Sequence, residues 1–432
     1  MNTKVLLLFS FAVVVMVASC DFNDKKKELE IKQSFRPKVR LEGIDSIQIQ
    51  VNNNTNVQGY VQLASLDDRE YLIGYQYKNE INNFHFYDLE SRQYYKTISF
   101  NRNGPNGMGK LSPFATFNSF NEIVLYEANS NRFYIGDSTG RVLRKFDLKD
   151  IVTGTIYPQP GYPTRYDNGN LYFFQMSPIN PNSNDFHKQS KAECIYDTKS
   201  GSLTNQFPNY PEYPSGIENT LDGWKVARCI GPSGEFVYSF PFDNRLIVVE
   251  NGKSPKHFIP NTHFNVSAVE GLAPEDLSSQ MDVIAKFGLY TYIFFDPYRS
   301  VYYRIYLLPG NVKDIDGKLI LIGERPFRVE IIDTTFNLIG YTDFKGKGYN
   351  PYIVLISKEG VLISRLNPHA PATEDRFIFE RFSIQNEKNY HCIGCRSFGY
   401  LYPKKIMVIK KPAVLLMYHK ILVLIQNAHL LY

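Results

Sequence analysis

The chain is sparing with the residues that most often carry chemistry or staple a fold. It has five cysteines, eight histidines and a single tryptophan in 432 residues. Five thiols in a chain of this size exclude a disulfide-dense scaffold. His85, His187, His257, His263 and His369 show no metal-ligand spacing. Paired acids such as Asp67-Asp68 and Glu374-Asp375 read as solvated turns. Asn103-Gly104-Pro105-Asn106-Gly107-Met108-Gly109-Lys110 is Gly-rich but lacks P-loop spacing; it reads as a loop that could line one mouth of the fold. Gly231-Pro232-Ser233-Gly234 lacks the pattern of a nucleophile elbow. No catalytic residue, metal or cofactor is indicated, which leans the reading away from an enzyme. The net charge of +5 comes mostly from the last stretch of chain, with no basic stripe interleaved with aromatics, so nucleic acid is excluded as a partner. Helical periodicity over eleven or more residues is also lacking. The best helical candidate is Glu275 to Phe287, after Pro274, read as one or two turns in an insertion.

No apolar run reaches the roughly 20 residues a bilayer span needs. The nearest, Val5 to Val17, is interrupted by Ser10 and follows Lys4. Small residues close it, Val17-Ala18-Ser19-Cys20, and the chain then turns polar. A basic start, a short apolar core and small residues before a cleavage point make a secretory signal. A cysteine directly after Ala18-Ser19 resembles the lipobox of bacterial lipoproteins. That resemblance implies residues 1–19 as a cleaved signal peptide, lipidation of Cys20, and residues 20–40 as a lipidated tether. The expected address is the cell envelope, anchored through lipid, with the outer membrane favoured. An ordinary signal peptide cut elsewhere is the nearer rival.

What the chain has in abundance is tyrosine and phenylalanine, 31 of each, whose flat rings suit pleated faces. Short runs of β-branched and aromatic residues recur between Gly, Pro, Asn and Asp. Examples are Leu72–Tyr75, Phe84–Tyr87, Ile123–Tyr126, Leu171–Phe174, Leu246–Val249, Tyr290–Phe295, Val301–Leu307, Leu319–Ile322, Tyr352–Ile356 and Phe377–Phe382. Each reads as a strand. Polar turns led by Asp88, Asp137, Asp197, Asn251 and Asp333 recur among them, because Asp and Asn side chains close such turns. A recurrence near 50 residues with about four short strands per unit predicts a β-propeller of six blades, with seven the alternative, over residues 41–385. A pair of β-sandwiches is the rival.

The lipobox, the Tyr-Asp-x-x-Ser/Thr-Gly hairpins, the segment Tyr352–Ser364 and the closing Glu374–Phe382 together resemble the Bacteroidetes lipoproteins grouped as domain of unknown function 4221. The resemblance implies a TolB-like six-bladed propeller over about residues 20 to 385. It brings no catalytic residues to carry over.

His391-Cys392-Ile393-Gly394-Cys395-Arg396 is the one motif with chemical content. Cys392 and Cys395 could form a redox pair or a structural disulfide, although too little chain follows for a thioredoxin-type body. Cys194 and Cys229 sit in apolar runs and read as buried free thiols. Residues 386–432 form an atypical tail. After Glu387 it has no acid, seven Lys or Arg, and the apolar runs Val414–Met417 and Ile421–Ile425. A frameshifted or fused terminus and a membrane- or partner-binding appendix both fit it. The leading functional expectation is a binding module for a protein or glycan partner. The alternative is a glycan- or peptide-acting hydrolase or lyase at the channel mouth, which convergent acids or histidines would favour.

Overall fold

The computed structural model describes residues 37–51, 60–152, 154–177, 179, 186–211, 225–250, 253–260, 277–365 and 376–387. Two units divide the chain, Met1–Glu387 and Lys388–Tyr432. The second unit lies outside the described residues, and so do Cys20, Cys392, Cys395 and residues 1–36.

The first unit is all-β with a propeller-like arrangement. After β1 (Val39–Gln50) come four sheets in chain order. The first holds β2 (Val61–Leu66), β3 (Arg69–Lys78), β4 (Ile81–Asp88) and β5 (Gln93–Asn101). The second holds β6 (Thr116–Ser119), β7 (Glu122–Glu127), β8 (Arg132–Gly136) and β9 (Val142–Asp147). The third has five strands: β10 (Thr155–Ile156), β11 (Arg165–Asp167), β12 (Asn170–Met176), β13 (Lys191–Asp197) and β14 (Ser202–Asn209). The fourth holds β15 (Ala227–Ile230), β16 (Phe236–Ser239), β17 (Leu246–Val249) and β18 (Lys256–Phe258). Last comes an eight-stranded sheet. Its members are β19 (Leu289–Asp296), β20 (Val301–Leu307), β21 (Phe327–Asp333), β22 (Leu338–Phe344), β23 (Val354–Ser357), β24 (Gly360–Ser364) and β25 (Arg376–Asn386), with β1 between β22 and β25. Its two antiparallel halves touch through one parallel bridge, Val39 to Gly340.

Successive sheets stack face to face, so the middle strands are buried on both sides and read as near-continuous apolar runs. Tyr71, Phe84, Phe86 and Phe100 of the first sheet meet Ile123 and Leu125 of the second. Phe133 of the second packs at 5.2 Å from Phe173 of the third. Ile47, Leu72, Tyr87, Leu362 and Phe379 join the first sheet to the last. Truncating one such ring to alanine typically costs about 3–5 kcal/mol.

The recurring aspartate turn occupies one place, the hairpin leading into the last strand of a sheet or of the β19–β22 half-sheet. Asp88 accepts from the Ser91 N–H, Asp137 from Thr139 and Arg141, Asp197 from Lys199, and Asp333 from Thr335 and Asn337. Gly140 and Gly201 supply the positive φ these turns require, at +80° and +69°. Asn251 lies outside the described residues.

Three expectations change. Leu319–Ile322 is not a strand: only Leu319 bridges, to Lys313, and a 3-10 turn covers Ile322–Glu324. These apolar residues sit on an exposed excursion between β20 and β21. The helical candidate is a full α-helix, Leu277–Phe287, longer than two turns. Gly288, at φ +70°, closes it by donating to the Ile284 carbonyl. The first sheet strand also begins at Val39, inside the expected tether. It pairs with β25 from Val39–Asn386 to Gln50–Arg376, with a bulge at Gly43/Asp45.

Candidate functional site

The innermost strands are β2, β6, β15, β19 and β23, each paired on one side only, and their other edges face a common axial cavity. That cavity measures about 470 Å³ and is lined mainly by apolar residues such as Leu63, Phe117, Ile230 and Ile356. In the third sheet the innermost strand is broken. β10 and β11 both pair with β12, and the chain between them leaves the sheet edge. The excursion reads Tyr157-Pro158-Gln159-Pro160-Gly161-Tyr162-Pro163-Thr164. Its prolines cannot donate to a ladder, so the strand cannot continue there.

Leaving the edge carries the segment toward the axis. Pro160 and Pro163 line the axial cavity, and Gln159 and Pro160 line a second cavity of about 280 Å³ above it. Contacts to the fourth sheet and a turn of its own hold the excursion. The Arg228 N–H donates to the Gly161 carbonyl at 2.6 Å, Gln159 Nε2 donates to the Val226 carbonyl at 3.4 Å, and the Tyr162 N–H closes a turn onto Gln159 at 2.9 Å. Gly161 lies so close to Tyr292 that a Cβ would sit 2.1 Å from its ring.

The second cavity is the mouth, built where the innermost strands begin. Tyr60, Phe114, Tyr157, Tyr290, Tyr292 and Tyr352 give it an aromatic wall. Tyr60 stands edge-on to Phe114 at 5.5 Å, and Tyr292 edge-on to Tyr352 at 5.9 Å. Such pairs hold their rings in fixed orientations. Gln159, Lys225, Thr291 and Asn350 supply the polar groups. Asn350 Oδ1 accepts from the Tyr352 N–H, fixing the approach to β23.

Thr291 is special within this wall. The β19–β20 register shifts between Tyr290 and Tyr292, which makes Thr291 the extra residue of a β-bulge, a device that re-aims a side chain. Its Oγ1 is buried without a hydrogen-bond partner, and so is Gln62 Nε2 on the wall of the axial cavity. Buried polar atoms are ordinarily satisfied by protein, water or ligand. Among the described residues lining the mouth there is no Asp, Glu, His or Cys.

The opposite face carries a polar cavity of about 470 Å³ near Asp68, Glu70, Asp88, Lys358 and Arg381. Its charges hold turns together. Glu70 accepts from the Lys358 N–H at 2.9 Å, Lys358 Nζ donates to the Asp68 carbonyl, and Arg299 donates to the carbonyls of Ser357 and Lys358. Burial pushes the Glu70 carboxyl up, against the hydrogen bond from Lys358.

Of the residues named from sequence, His85 is buried with Nδ1 at 2.7 Å from Thr97 Oγ1, and burial pulls it down to about 4. Cys194 is a buried thiol outside any disulfide, at 3.0 Å from Gln175 Oε1 and pushed up to about 12; Cys229 is likewise in no disulfide but only half-buried. The Gly-rich loop folds onto its own sheet, its Gly109 carbonyl accepting from Asn82 Nδ2, and lines neither cavity of the axis. Among the described residues no group of three His, Cys, Asp or Glu could hold a metal ion, and no helix is long and apolar enough to cross a membrane. The mouth itself escaped sequence reasoning. Three prolines where an innermost strand is due were the signal that could have found its floor.

Solved structures resemble this arrangement. One is the crystal structure of a member of the domain of unknown function 4221 family from Bacteroides vulgatus, at 19% identity and TM-score 0.67, covering 82% of this chain and 100% of that one. Another is a putative exported protein from Bacteroides fragilis, at 11% identity and TM-score 0.51, covering 81% of this chain and 96% of that one. At these identities the likeness shows the fold alone. No protein of curated function matches the chain. The family's sequence profile matches residues 38–342, most of the chain, and the chain therefore belongs to the family with the domain of unknown function 4221.

Proposed function

We propose that this protein is a lipid-anchored envelope protein whose six-bladed propeller binds a glycan in the aromatic mouth. The observation that carries the reading is the composition of that mouth. A pyranose ring has a face of C–H groups and a rim of hydroxyls. The negative faces of aromatic rings suit the first, and the amides, the Thr291 hydroxyl and Lys225 suit the second. Catalysis of glycoside cleavage ordinarily uses a pair of carboxylates. The described lining holds none, which favours binding over turnover.

Counting the two halves of the eight-stranded sheet separately, with β1 completing the half built from β23, β24 and β25, supports the reading of six blades. The lipid anchor rests on the Cys20 segment. Strand direction gives the reading an orientation. β1 runs parallel to β22, and Val39 pairs beside the Asp333 turn, on the face opposite the mouth. A tether of residues 21–38, at most about 60 Å long when extended, would then enter on the membrane side and leave the mouth facing away.

The test uses the full-length chain in detergent against an array of neutral oligosaccharides. The expected result is saturable binding of at least one glycan, weakened tenfold or more by Tyr157→Ala. Binding to none, cleavage of a bound sugar, or capture of a protein at the mouth in crosslinked envelopes would each overturn the reading.

A further inference from the structure

We infer that the mouth is a blind cup that takes the end of a glycan chain and not a stretch of its interior. The inference rests on the glycan reading above and narrows it. Propeller axes commonly form continuous channels. Here the excursion between β10 and β11 leaves the edge of its sheet and lies at the junction of the two cavities. Pro160 and Val61 line both cavities, so the mouth and the axial cavity meet at that level.

That segment is held in place as the floor of the cup. Its prolines restrict φ to about −65°. Arg228 holds it from the fourth sheet, and the Tyr292 ring abuts Gly161 from β19 of the next sheet. A ligand entering the mouth meets Pro160 and can leave only by the way it came. An internal residue has a neighbour on each side and both would have to pass the same opening, whereas a terminal residue has one. At about 280 Å³ the cup sits at the lower edge of the usual range for ligand pockets, roughly 300–1,000 Å³. That volume suits one or two sugar rings. Thr291 lines the cup, and its Oγ1 is buried without a hydrogen-bond partner in the protein.

The experiment is calorimetric titration of the full-length chain with the linear oligosaccharide that binds best. It is compared at lengths of two to seven units, with the reducing end reduced to the alditol, and with the non-reducing end O-methylated. The expected result is affinity that stops rising by about three units and a loss of tenfold or more when one end is blocked. Affinity that climbs with every added unit, or that ignores both modifications, would overturn the chain-end inference while leaving glycan binding intact. If no oligosaccharide binds, the glycan reading itself falls. Thr291→Val removes one hydroxyl with little change of shape. It should weaken binding about fivefold with an unchanged or raised melting temperature; unchanged affinity would remove Thr291 from the site.

Discussion

Arg228 on β15 grips Glu193 on β13 across the gap between the third and fourth sheets, Nε to Oε2 at 3.1 Å and Nη2 to Oε1 at 3.2 Å, with neither side chain exposed to solvent. The phenols of Tyr162 and Tyr238 donate to the same carboxylate at 2.5 and 3.0 Å. Burial pushes the Glu193 carboxyl up, and the guanidinium and the two phenols oppose that push. Removing one partner would leave a buried charge uncompensated, at a cost of about 3–5 kcal/mol. Glu193→Gln and Arg228→Met should therefore each lower stability substantially in urea denaturation. The double substitution Glu193→Leu with Arg228→Met should cost less than the sum of the two. Because Tyr162 belongs to the floor of the mouth, the single variants that still fold should also bind more weakly.

Gly340 closes the eight-stranded sheet. A Cβ there would lie 1.9 Å from the Val39 carbonyl oxygen, which is backbone and cannot swing aside. Gly340→Ala should cost about 1–3 kcal/mol, as overpacking does. Nearby, Arg381 pairs with Asp45 in two bonds of 2.8 and 2.6 Å, but Asp45 is partly exposed. Asp45→Asn should cost less than about 1 kcal/mol. Thermal melts of the two variants check this ranking.

Glu330 lies between Arg304 and Tyr341 in the sheet register. Tyr290 OH reaches its Oε1 at 3.5 Å, while Oε2 is buried without a partner. Burial raises this carboxyl from 4.5 to about 7; Arg304, Arg328 and Tyr290 pull it down and Asp343 pushes it up. A carboxyl with a folded pKa above its unfolded value holds its proton more tightly when folded. It contributes stability below the unfolded value that is lost as pH rises through the folded one, at about 1.4 kcal/mol per unit. Glu330→Gln keeps the uncharged form. It should match the wild type near pH 4 and melt progressively higher than it toward pH 7. An equal gap at both pH values would show that Glu330 does not titrate in this window.

Tyr157 is 45% exposed and packs little core, whereas Tyr292 is 8% exposed and abuts Gly161. Tyr157→Ala should therefore reduce glycan affinity tenfold or more with little change in melting temperature, while Tyr292→Ala should reduce both. Paired titrations and melts separate the two roles.

Much of the fold was legible because each middle strand is buried on both faces. Leu72–Tyr75 and Phe84–Tyr87 declare themselves by composition, and the aspartate turns at Asp88, Asp137 and Asp197 keep their place from sheet to sheet. β1 was not legible. It is polar at alternate positions because one face is exposed, and its partner lies far along the chain: Asp45 meets Arg381 at a separation of 336 residues. Leu319–Ile322 misled for the opposite reason, having strand-like residues with no sheet to join. The mouth draws Tyr60, Phe114, Tyr157 and Tyr352 from four separate connections, and only closure around the axis brings them together. Apart from the three prolines of the floor, local patterning carries no trace of that convergence.

The most direct measurement is a crystal structure of the chain with its best-binding oligosaccharide. The account predicts one terminal sugar ring in the mouth, flanked by the Tyr60–Phe114 and Tyr292–Tyr352 pairs and resting on Pro160, with the rest of the chain leading out into solvent. A glycan threaded past Pro160 into the axial cavity, or bound on the opposite face beside Glu70 and Lys358, would contradict it.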